Sequence, residues 1–294
     1  MSSDAVDLMA YGSPERLADV PAYYSDIRGG RPIAPERLDD LVERYRRLGI
    51  EDSSPLNAIT EQTRAALERE LELPVFTGMK HWTPRIADAA ASALAAGMET
   101  IVGLVLAPHY SALSIRGYRE QLERALDGRA ELRFVDSWHD EPGFIDLLAA
   151  KIRGADAHVV FTAHSLPARI LELGDPYQEQ LLETSRLIAE AAGTESWSFS
   201  FQSESSTGEP WLGPDILDHL RALHEGGVEW VLVCPVGFVS DHLEIRWDLD
   251  VEANELAHEL GLRFERIEMP NDDPVFVRML AGIVRRQLAV PSPA

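Results

Sequence analysis

Two short segments of the chain place residues that can do metal and proton chemistry shortly after apolar runs. His164 follows the apolar residues 157–161 in the sequence F-T-A-H-S-L-P, and Glu244 ends the sequence P-V-G-F-V-S-D-H-L-E, which follows the apolar residues 230–234. In a parallel α/β sheet such positions are the carboxyl ends of strands, where ligands bind. A neutral imidazole and a carboxylate that face one another can bind a divalent metal ion and can also accept protons.

Acidic residues continue from Glu244 along the chain. Asp248 and Glu252 follow it at intervals of four residues, a spacing that forms a slanted stripe on one face of an α-helix, although a local π-bulge would change the slant. Like charges at this spacing destabilise an isolated helix by roughly 0.2–0.5 kcal/mol, a cost that a bound cation would offset. The alternative for Asp248 and Glu252 is a solvated acidic face.

His164 also has a structural alternative, whereas the position of Glu244 favours a functional role. A half-buried, hydrogen-bonded histidine is the alternative for His164, since histidine is widely used in that way. Glu244 differs from the other two carboxylates because it follows the apolar Phe238, Val239 and Leu243 close to a strand end. That position favours a side chain that points into a cleft.

Tyrosine and arginine residues in the first part of the chain are further candidates for ligand binding. Tyr11 lies in the sequence A-Y-G-S-P after a short apolar run. A phenol there can hydrogen-bond or ligate iron, and a packing tyrosine is an equally good alternative. The arginines that follow would suit an anionic substrate, although a solvated surface is the default explanation for them. They are Arg28, Arg31, Arg44, Arg46 and Arg47.

The composition limits the class of protein. The chain has 294 residues, 45% of them hydrophobic, and a formal net charge of −22, which argues against nucleic-acid partners and anionic membrane surfaces. No run of residues is long and apolar enough for a membrane span, and no basic-then-apolar leader is present. The single cysteine, Cys234, excludes a disulfide framework and a cluster held by four thiolates. We therefore expect a soluble, cytoplasmic protein.

Signatures of several common enzyme classes are missing. The sequence contains no G-x-G-x-x-G, no P-loop, no H-E-x-x-H and no G-x-S-x-G. Nothing therefore points to dinucleotide binding, nucleoside triphosphate binding, zinc-dependent proteolysis or a serine hydrolase.

Alternating strands and helices must position the candidate residues. Hydrophobic runs predict strands at residues 7–10, 75–78, 101–106, 132–135, 157–161 and 230–234. Helical periodicity predicts a helix that begins at Ser53-Ser54-Pro55 and ends at residue 71, and further helices at residues 85–96, 117–126 and 142–152. The pattern then repeats, because strand 157–161 leads into A-H-S-L-P as strand 7–10 leads into A-Y-G-S-P. We interpret this order as an internal duplication.

The fold class that follows is α/β, with two tandem Rossmann-like α/β/α halves, each built on a parallel sheet. We place the halves at residues 1–153 and 154–294, and the sequence does not decide whether the last helix packs back onto the first half. A cleft between two such halves is a preferred place for a ligand. Tyr11 and His164 would occupy equivalent strand ends facing that cleft.

Seven stretches, spread over nearly the whole chain, match one family in order. The chain resembles the ferrochelatases, most closely the soluble coproporphyrin ferrochelatases of Gram-positive bacteria. The histidine motif and the P-V-G-F motif are highly specific together. The matching stretches are M-A-Y-G-S-P from Met9, Y-Y-S-D-I-R-G-G-R from Tyr23, S-P-L-N-A-I-T from Ser54, L-A-P-H-Y-S from Leu106, A-H-S-L-P from Ala163, E-P-W-L-G-P-D from Glu209 and P-V-G-F-V-S-D-H-L-E from Pro235.

The resemblance implies a porphyrin cleft and the insertion of ferrous iron with loss of two pyrrole protons. It implies that His164 and Glu244 are catalytic and bind the metal, and that Asp248 and Glu252 form a carboxylate path for it. It also implies a set of porphyrin and propionate contacts, including a tyrosine that approaches the iron from the opposite face. The tyrosine that approaches the iron is Tyr11. The other porphyrin and propionate contacts are Arg28, Arg44, Tyr45, Ser54 and Tyr118.

Departures from other members of the family bear on the substrate. The chain lacks the cysteines of iron–sulfur ferrochelatases, and it lacks the hydrophobic lip and C-terminal extension of mitochondrial members. Both differences favour coproporphyrin III as the substrate. We expect no cofactor beyond the substrate Fe²⁺ and no iron–sulfur cluster.

Several alternatives stay open at this point. They are protoporphyrin IX as the substrate, a cobalt or nickel chelatase of the same fold, and a haem-binding carrier that is not an enzyme. For partners we expect a monomer that makes transient contacts with other enzymes of haem synthesis and does not bind nucleic acid or membranes.

Overall fold

Two four-stranded parallel sheets form the frame of the protein in the computed structural model, which describes residues 3–50, 54–204 and 208–290. The strands are β1 (Asp4–Ala10), β2 (Val75–Met79), β3 (Thr100–Val105), β4 (Glu131–Val135), β5 (His158–His164), β6 (Trp197–Gln202), β7 (Trp230–Cys234) and β8 (Arg263–Arg266). The first sheet has the order β2-β1-β3-β4 and the second the order β6-β5-β7-β8, with parallel pairing throughout. The repeated order confirms the predicted α/β fold with two tandem Rossmann-like halves.

Helices connect the strands and cover both sheets. In chain order they are α1 (Val20–Ile27), α2 (Pro35–Arg47), α3 (Pro55–Leu71), α4 (Ile86–Ala95), α5 (Ile115–Leu126), α6 (Pro142–Ile152), α7 (Tyr177–Ala192), α8 (Ile216–Glu225), a π-helix (Ile245–Ala253), α9 (Asn254–Leu260) and α10 (Pro274–Ala289). Ser54 is the N-cap of α3, and Ser53 of the predicted helix entry lies outside the described residues. Among the described residues, no helix combines the length and hydropathy needed to cross a membrane.

The central strands β1 and β5 carry the candidate residues at their carboxyl ends. Both strands are buried on both faces along most of their length, as expected where helices cover both sides of a parallel sheet. Val6 and Leu8 of β1 belong to the same continuous buried cluster as Val159 and Phe161 of β5. The two sheets therefore share a core, which fixes one strand end relative to the other.

The last helix of each predicted half packs against elements of the other half. Helix α6 contacts α7 and β7, whereas α10 contacts α3, β3 and β4. Arg133 of β4 fastens the end of α10, because its Nη1 donates to the carbonyls of Gln287 (2.8 Å) and Val290 (2.7 Å). The division of the chain at residues 153 and 154 stays a prediction.

Two elements near the candidate site differ from the predicted ones. The strand predicted at residues 157–161 continues to His164, because Ala163 and His164 go on pairing with Phe201 and Gln202 of β6. Asp248 and Glu252 lie on the π-helix and Glu244 immediately precedes it, so the three do not share a regular α-helix. Backbone hydrogen bonds in a π-helix span five residues, which widens each turn.

A buried carboxyl group in the first sheet has no hydrogen-bond partner within the part of the chain that the structure describes. Asp7, in the middle of β1, is 1% exposed, and neither of its carboxyl oxygens is hydrogen-bonded. The neighbouring Gly78 leaves room for it, because a β-carbon there would lie 2.7 Å from Asp7 Oδ1. Burial raises the pKa of Asp7 well above its ordinary value, so folding favours the neutral acid.

We expect the substitution Asp7→Asn to raise the Tm most at alkaline pH. The unfolded chain ionises Asp7 above its ordinary pKa while the folded protein retains the proton, so the wild-type free energy of unfolding falls as the pH rises toward the raised pKa. The asparagine side chain does not titrate, so the variant lacks this pH dependence. Each kcal/mol gained in the free energy of unfolding should add roughly 2–4 °C to the Tm.

Thermal unfolding at about pH 5.5 and about pH 8 measures this effect, with the exposed Asp156→Asn as the control. The gain in Tm from Asp7→Asn should be larger at the higher pH, whereas the control should show no such trend. An equal gain at both pH values would contradict the assignment of the effect to a titrating Asp7.

Candidate active site

His164 and Glu244 face each other at the carboxyl edge of the second sheet. His164 is the last residue of β5, Glu244 immediately precedes the π-helix, and His164 Nε2 lies 3.5 Å from Glu244 Oε1. His164 Nδ1 donates to the carbonyl of Ser165, which turns Nε2 toward the carboxylate. The two side chains keep 31% and 38% of their surface exposed, so a ligand can reach both.

A closely packed loop brings Glu244 to this position. The segment after β7 crosses the end of β5, where the Gly237 N–H donates to the Thr162 carbonyl at 3.1 Å. A β-carbon at Gly237 would lie 2.5 Å from the β-carbon of Ala163, so this approach requires glycine. The glycine of the P-V-G-F motif therefore lets the chain pass over β5 and place Glu244 beside His164.

A second imidazole flanks Glu244 on its other side. His242 Nε2 lies 3.6 Å from Glu244 Oε2, and His242 Nδ1 donates to the Ser240 carbonyl at 2.9 Å. Each carboxylate oxygen of Glu244 therefore has its own histidine. Sequence reasoning gave His242 no role, and its position two residues before Glu244 is the one signal that could have identified it.

The π-helix turns Asp248 toward the interior. Asp248 is 8% exposed, and it accepts hydrogen bonds from Ser203 Oγ and from Gln202 Nε2, the latter at 3.4 Å. Ser203 has a left-handed backbone with a φ of 63°, an uncommon conformation for serine that directs its hydroxyl to Asp248. A solvated acidic face therefore does not describe Asp248, whereas Glu252 is half-buried.

Gln202 connects the strand of His164 with the π-helix. It is fully buried at the end of β6, and its Oε1 accepts from Thr162 Oγ1 of β5 at 3.0 Å. Its Nε2 points to the π-helix, 3.4 Å from Asp248 Oδ2 and 3.5 Å from the Glu244 carbonyl. An amide can make both contacts because it carries a donor and an acceptor. Sequence reasoning missed this residue, since its partners lie about 40 residues away along the chain.

The charges of these groups depend on one another. Burial alone would lower the pKa of His164, but the Glu244 carboxylate outweighs burial and raises that pKa above its ordinary value. The attraction of His164 and His242 lowers the pKa of Glu244 despite the burial that opposes it. Burial, and then the charge of Glu244, raise the pKa of Asp248 to about 7. At neutral pH the site therefore holds an ionised Glu244, a protonated His164 and an Asp248 that exchanges its proton readily.

Tyr11 lies at the carboxyl edge of the first sheet. It follows β1, with 41% of its surface exposed, and its ring centroid lies 4.6 Å from that of His81. Asp26 Oδ2 holds His81 Nδ1 at 2.9 Å, and Asp26 also accepts two hydrogen bonds from Arg85. Desolvation, and then the charge of Glu244, raise the pKa of Tyr11. The charge of Glu244, in the second half of the chain, therefore acts on Tyr11.

Helix α2 is held against the π-helix by arginine side chains. Trp247 of the π-helix has the guanidinium of Arg44 at 5.1 Å and that of Arg47 at 4.9 Å from its ring centroid. Arg44 also donates to Asp40 at 3.1 Å, and Arg47 donates to Glu255 at 3.3 Å. Arg44 thus helps to join the two halves, and its predicted contact with a ligand stays a prediction.

The other predicted ligand contacts lie in the first half, where their roles stay predictions. Tyr45, Ser54 and Tyr118 are 2%, 3% and 5% exposed, so these side chains lie beneath the cleft surface. Arg28 donates to two carbonyls of its own loop, at 3.4 and 3.1 Å. The structure therefore brings His164 and Glu244 together, leaves Tyr11 exposed after the end of β1, and buries Tyr45, Ser54 and Tyr118.

A cation that sequence reasoning missed lies next to Tyr11. Lys80 follows β2, and its N–H donates to the Ala10 carbonyl at 2.9 Å. Its Nζ lies 4.7 Å from the Tyr118 ring centroid and donates to the Ser114 carbonyl at 3.0 Å. Burial lowers the pKa of Lys80 to about 8. An amine at the carboxyl edge of the first sheet is well placed to attract a carboxylate ligand.

Solved structures establish the class of fold. The structure described as SirB from Bacillus subtilis with Fe³⁺ matches with a TM-score of 0.64 and 10% sequence identity, over 98% of this chain and 96% of that one. The structure of CbiX, described as the terminal enzyme for biosynthesis of sirohaem in denitrifying bacteria, matches with a TM-score of 0.55 and 13% identity, over 98% and 100% of the two chains. Both matches show a chelatase-type fold.

Sequence comparison then identifies the family. Residues 3–288 match the family model described as ferrochelatase. A protein named ferrochelatase from Herpetosiphon aurantiacus is 44% identical over 96% of this chain and 98% of its own length. One named coproporphyrin III ferrochelatase from Halalkalibacterium halodurans is 42% identical over 96% of both chains. The chain belongs to the ferrochelatase family, which confirms the resemblance and the predicted enzyme class.

We expect Glu244→Gln to lower the pKa of His164 below its ordinary value. The amide removes the negative charge that raises this pKa, whereas the burial that lowers it stays. Proton NMR titration of the histidine Cε1–H signals in the metal-free protein measures the change. His158, at the other end of β5, is the internal control, and an unchanged His164 midpoint would contradict the coupling to Glu244.

Proposed function

We propose that this chain inserts Fe²⁺ into coproporphyrin III, yielding coprohaem and two protons in haem synthesis, with His164 and Glu244 as the groups that handle the metal and the protons. The observation that carries the proposal is the 3.5 Å approach of the His164 imidazole to the Glu244 carboxylate, both of them partly exposed. The coproporphyrin III ferrochelatase of Halalkalibacterium halodurans, at 42% identity, supports this choice of porphyrin.

The chemical difficulty of the reaction lies in the shape of the macrocycle. A flat porphyrin directs its nitrogen lone pairs inward, and two N–H protons block the metal. An enzyme accelerates insertion by binding the ring in a distorted shape, with binding energy supplied by groups remote from the nitrogens. Lys80, Arg28 and Arg44 are the cations proposed to hold the propionates for this purpose.

His164 and Glu244 would serve in both metal transfer and proton transfer. Imidazole nitrogen and carboxylate oxygen are suitable ligands for Fe²⁺. Because His164 carries a proton at neutral pH, an incoming metal ion must displace that proton. Asp248, with a pKa of about 7, can take up the proton and release it toward Glu252. The π-helix would then conduct protons or metal ions between the surface and Glu244.

Tyr11 would approach the ring from the other side. Its raised pKa keeps the phenol neutral at physiological pH, so it would meet the ring as a hydrogen-bond donor. We propose no resident cofactor, because the one cysteine, Cys234, is buried. We also propose a cytoplasmic monomer that makes transient contacts with other enzymes of haem synthesis.

The main test is anaerobic incubation with Fe²⁺ and coproporphyrin III, followed by absorbance. Wild-type protein should form coprohaem, and His164→Ala and Glu244→Gln should each lose at least about 100-fold in kcat, the lower end of general acid–base contributions. Porphyrin binding, measured by fluorescence quenching, should survive in both variants. His158→Ala, at the far end of β5, is the matched control and should retain wild-type turnover.

Parallel assays separate the alternatives. His242 adds a second imidazole near Glu244, which would also suit Co²⁺ or Ni²⁺, so both metals are assayed beside Fe²⁺. Faster insertion of either metal would reassign the enzyme as a cobalt or nickel chelatase. Tight haem binding without turnover would identify a carrier and refute the catalytic proposal.

The choice of porphyrin gives a separate prediction. Coproporphyrin III has four propionates and protoporphyrin IX has two, and a charge-assisted contact contributes about 1.5–3 kcal/mol. One additional contact with Lys80 therefore predicts at least about a tenfold preference in kcat/KM for coproporphyrin III. Lys80→Met should reduce that preference, and added salt should weaken it if the contact is exposed.

The other lysine of the chain, Lys151, supplies the matched control. Lys151→Met, on α6, should keep the wild-type preference. Both porphyrins must be compared in the same detergent, because protoporphyrin IX aggregates. Equal or higher kcat/KM for protoporphyrin IX would refute the coproporphyrin assignment while leaving the ferrochelatase assignment intact.

A further inference from the structure

The last residue of β8, Arg266, is partly buried on a short strand whose other arginine is exposed. Arg263 and Glu265 are exposed, whereas Phe264 and Arg266 lie on the less exposed face, and the side chain of Arg266 is 14% exposed. A guanidinium in such a position requires partners, because burying an unpaired charge is costly. The identity of those partners indicates the role of Arg266.

Arg266 forms ion pairs with one residue that precedes Glu244 in the sequence and with one that follows it. It donates to Asp250 of the π-helix from Nε (2.8 Å) and from Nη2 (2.9 Å), and from Nη2 to Asp241 Oδ1 at 3.1 Å. Asp241 precedes Glu244 and Asp250 follows it. A planar guanidinium that binds two carboxylates fixes direction as well as distance. The end of β8 therefore determines where this segment lies.

Asn271 completes the attachment at Asp241. Its Nδ2 donates to Asp241 Oδ2 at 2.9 Å, and its Oδ1 accepts from the Asp241 N–H at 2.9 Å. The Asn271 carbonyl accepts from Thr63 Oγ1 of α3 at 3.3 Å. The attachment of the segment that carries Glu244 therefore extends to the first half of the protein.

The contacts made by Gln202 are too long to hold the π-helix alone. Its Nε2 lies 3.4 Å from Asp248 and 3.5 Å from the Glu244 carbonyl, at the weak end of the range for hydrogen bonds. The contacts of Arg266 with Asp250 are shorter and charge-assisted. Because β5, β7 and β8 belong to one sheet, anchoring the π-helix on β8 ties Glu244 to the same rigid frame as His164.

We propose that Arg266, acting through Asp241 and Asp250, is a positioning residue that sets the distance between Glu244 and His164. The inference rests on the proposed function, because it assigns Arg266 a role in presenting the metal-handling pair. Arg266 acts on the reaction through the segment it holds and not by contact with the substrate. Without the ion pairs of Arg266, the π-helix could shift and carry Glu244 with it. A displacement of about 1 Å in a group that handles the metal is enough to slow the reaction.

The test compares two arginine-to-lysine substitutions on the same strand. Arg266→Lys keeps the positive charge but lacks the planar fork, and kcat/KM for Fe²⁺ should fall by roughly 10- to 100-fold, as for residues that orient metal ligands. Arg263→Lys is the matched control, because Arg263 stacks on Trp230 at 3.7 Å and should leave the rate unchanged. The Kd for coproporphyrin III should be the same in both variants.

Metal binding without porphyrin gives a second readout. Co²⁺ alone is titrated into each protein, since its visible absorption reports the number and geometry of its ligands. The wild type and Arg263→Lys should give the same spectrum, and Arg266→Lys should give an altered spectrum and weaker binding. If Arg266→Lys does not fold, Asp250→Asn removes the same ion pair by changing its other member. Asp250 is 40% exposed, so this substitution disturbs the interior less.

The outcomes separate this inference from the proposed function. A wild-type protein that neither inserts Fe²⁺ nor binds Co²⁺ refutes the proposed function. A wild type that does both, with a normal Co²⁺ spectrum and normal kcat/KM in Arg266→Lys, overturns the positioning role alone. Equal losses of iron insertion and porphyrin binding would also overturn it, because they would show a general structural defect.

Discussion

The attraction between the Glu244 carboxylate and the imidazoles beside it is the interaction on which the site depends. Glu244 lies 3.5 Å from His164 and 3.6 Å from His242, and without such partners burial would raise the pKa of this carboxylate. Bringing these groups together requires a loop to cross a strand end, and Gly237 makes that crossing possible. The ion pairs of Arg266 with Asp241 and Asp250 then hold the segment that follows the crossing.

The sequence predicts the strands that carry the site better than the residues that support it. His164 and Glu244 could be found because each follows a long apolar run, and apolar runs mark buried parallel strands. Strand β8 escapes prediction because it has four residues, three of them charged. The π-helix escapes as well, since no residue type specifies a backbone bond across five residues. Partners such as Arg266 and Asp241 are 25 residues apart along the chain, and a single sequence does not reveal such pairs.

Charge is distributed unevenly between the two walls of the cleft. The first half contributes Lys80 and Arg28, whereas the second half contributes Glu244 and Asp248; Arg44 and Arg47 are already paired with carboxylates. With a net charge of −22, the protein as a whole attracts a divalent cation and repels an anionic macrocycle. The local cations of the first wall offset that repulsion where the propionates would bind. The two proposed substrates are therefore favoured on different walls of one cleft.

The exchange of α6 and α10 between the two sheets has a consequence for folding. Each sheet is covered in part by a helix from the other half of the chain, and the buried clusters of the two sheets are continuous. Neither half can complete its core alone, so a fragment comprising one half should not form a stable domain. Contacts between such distant parts of the chain also give a high contact order, which slows folding. Equilibrium unfolding of the two sheets should accordingly be a single cooperative transition.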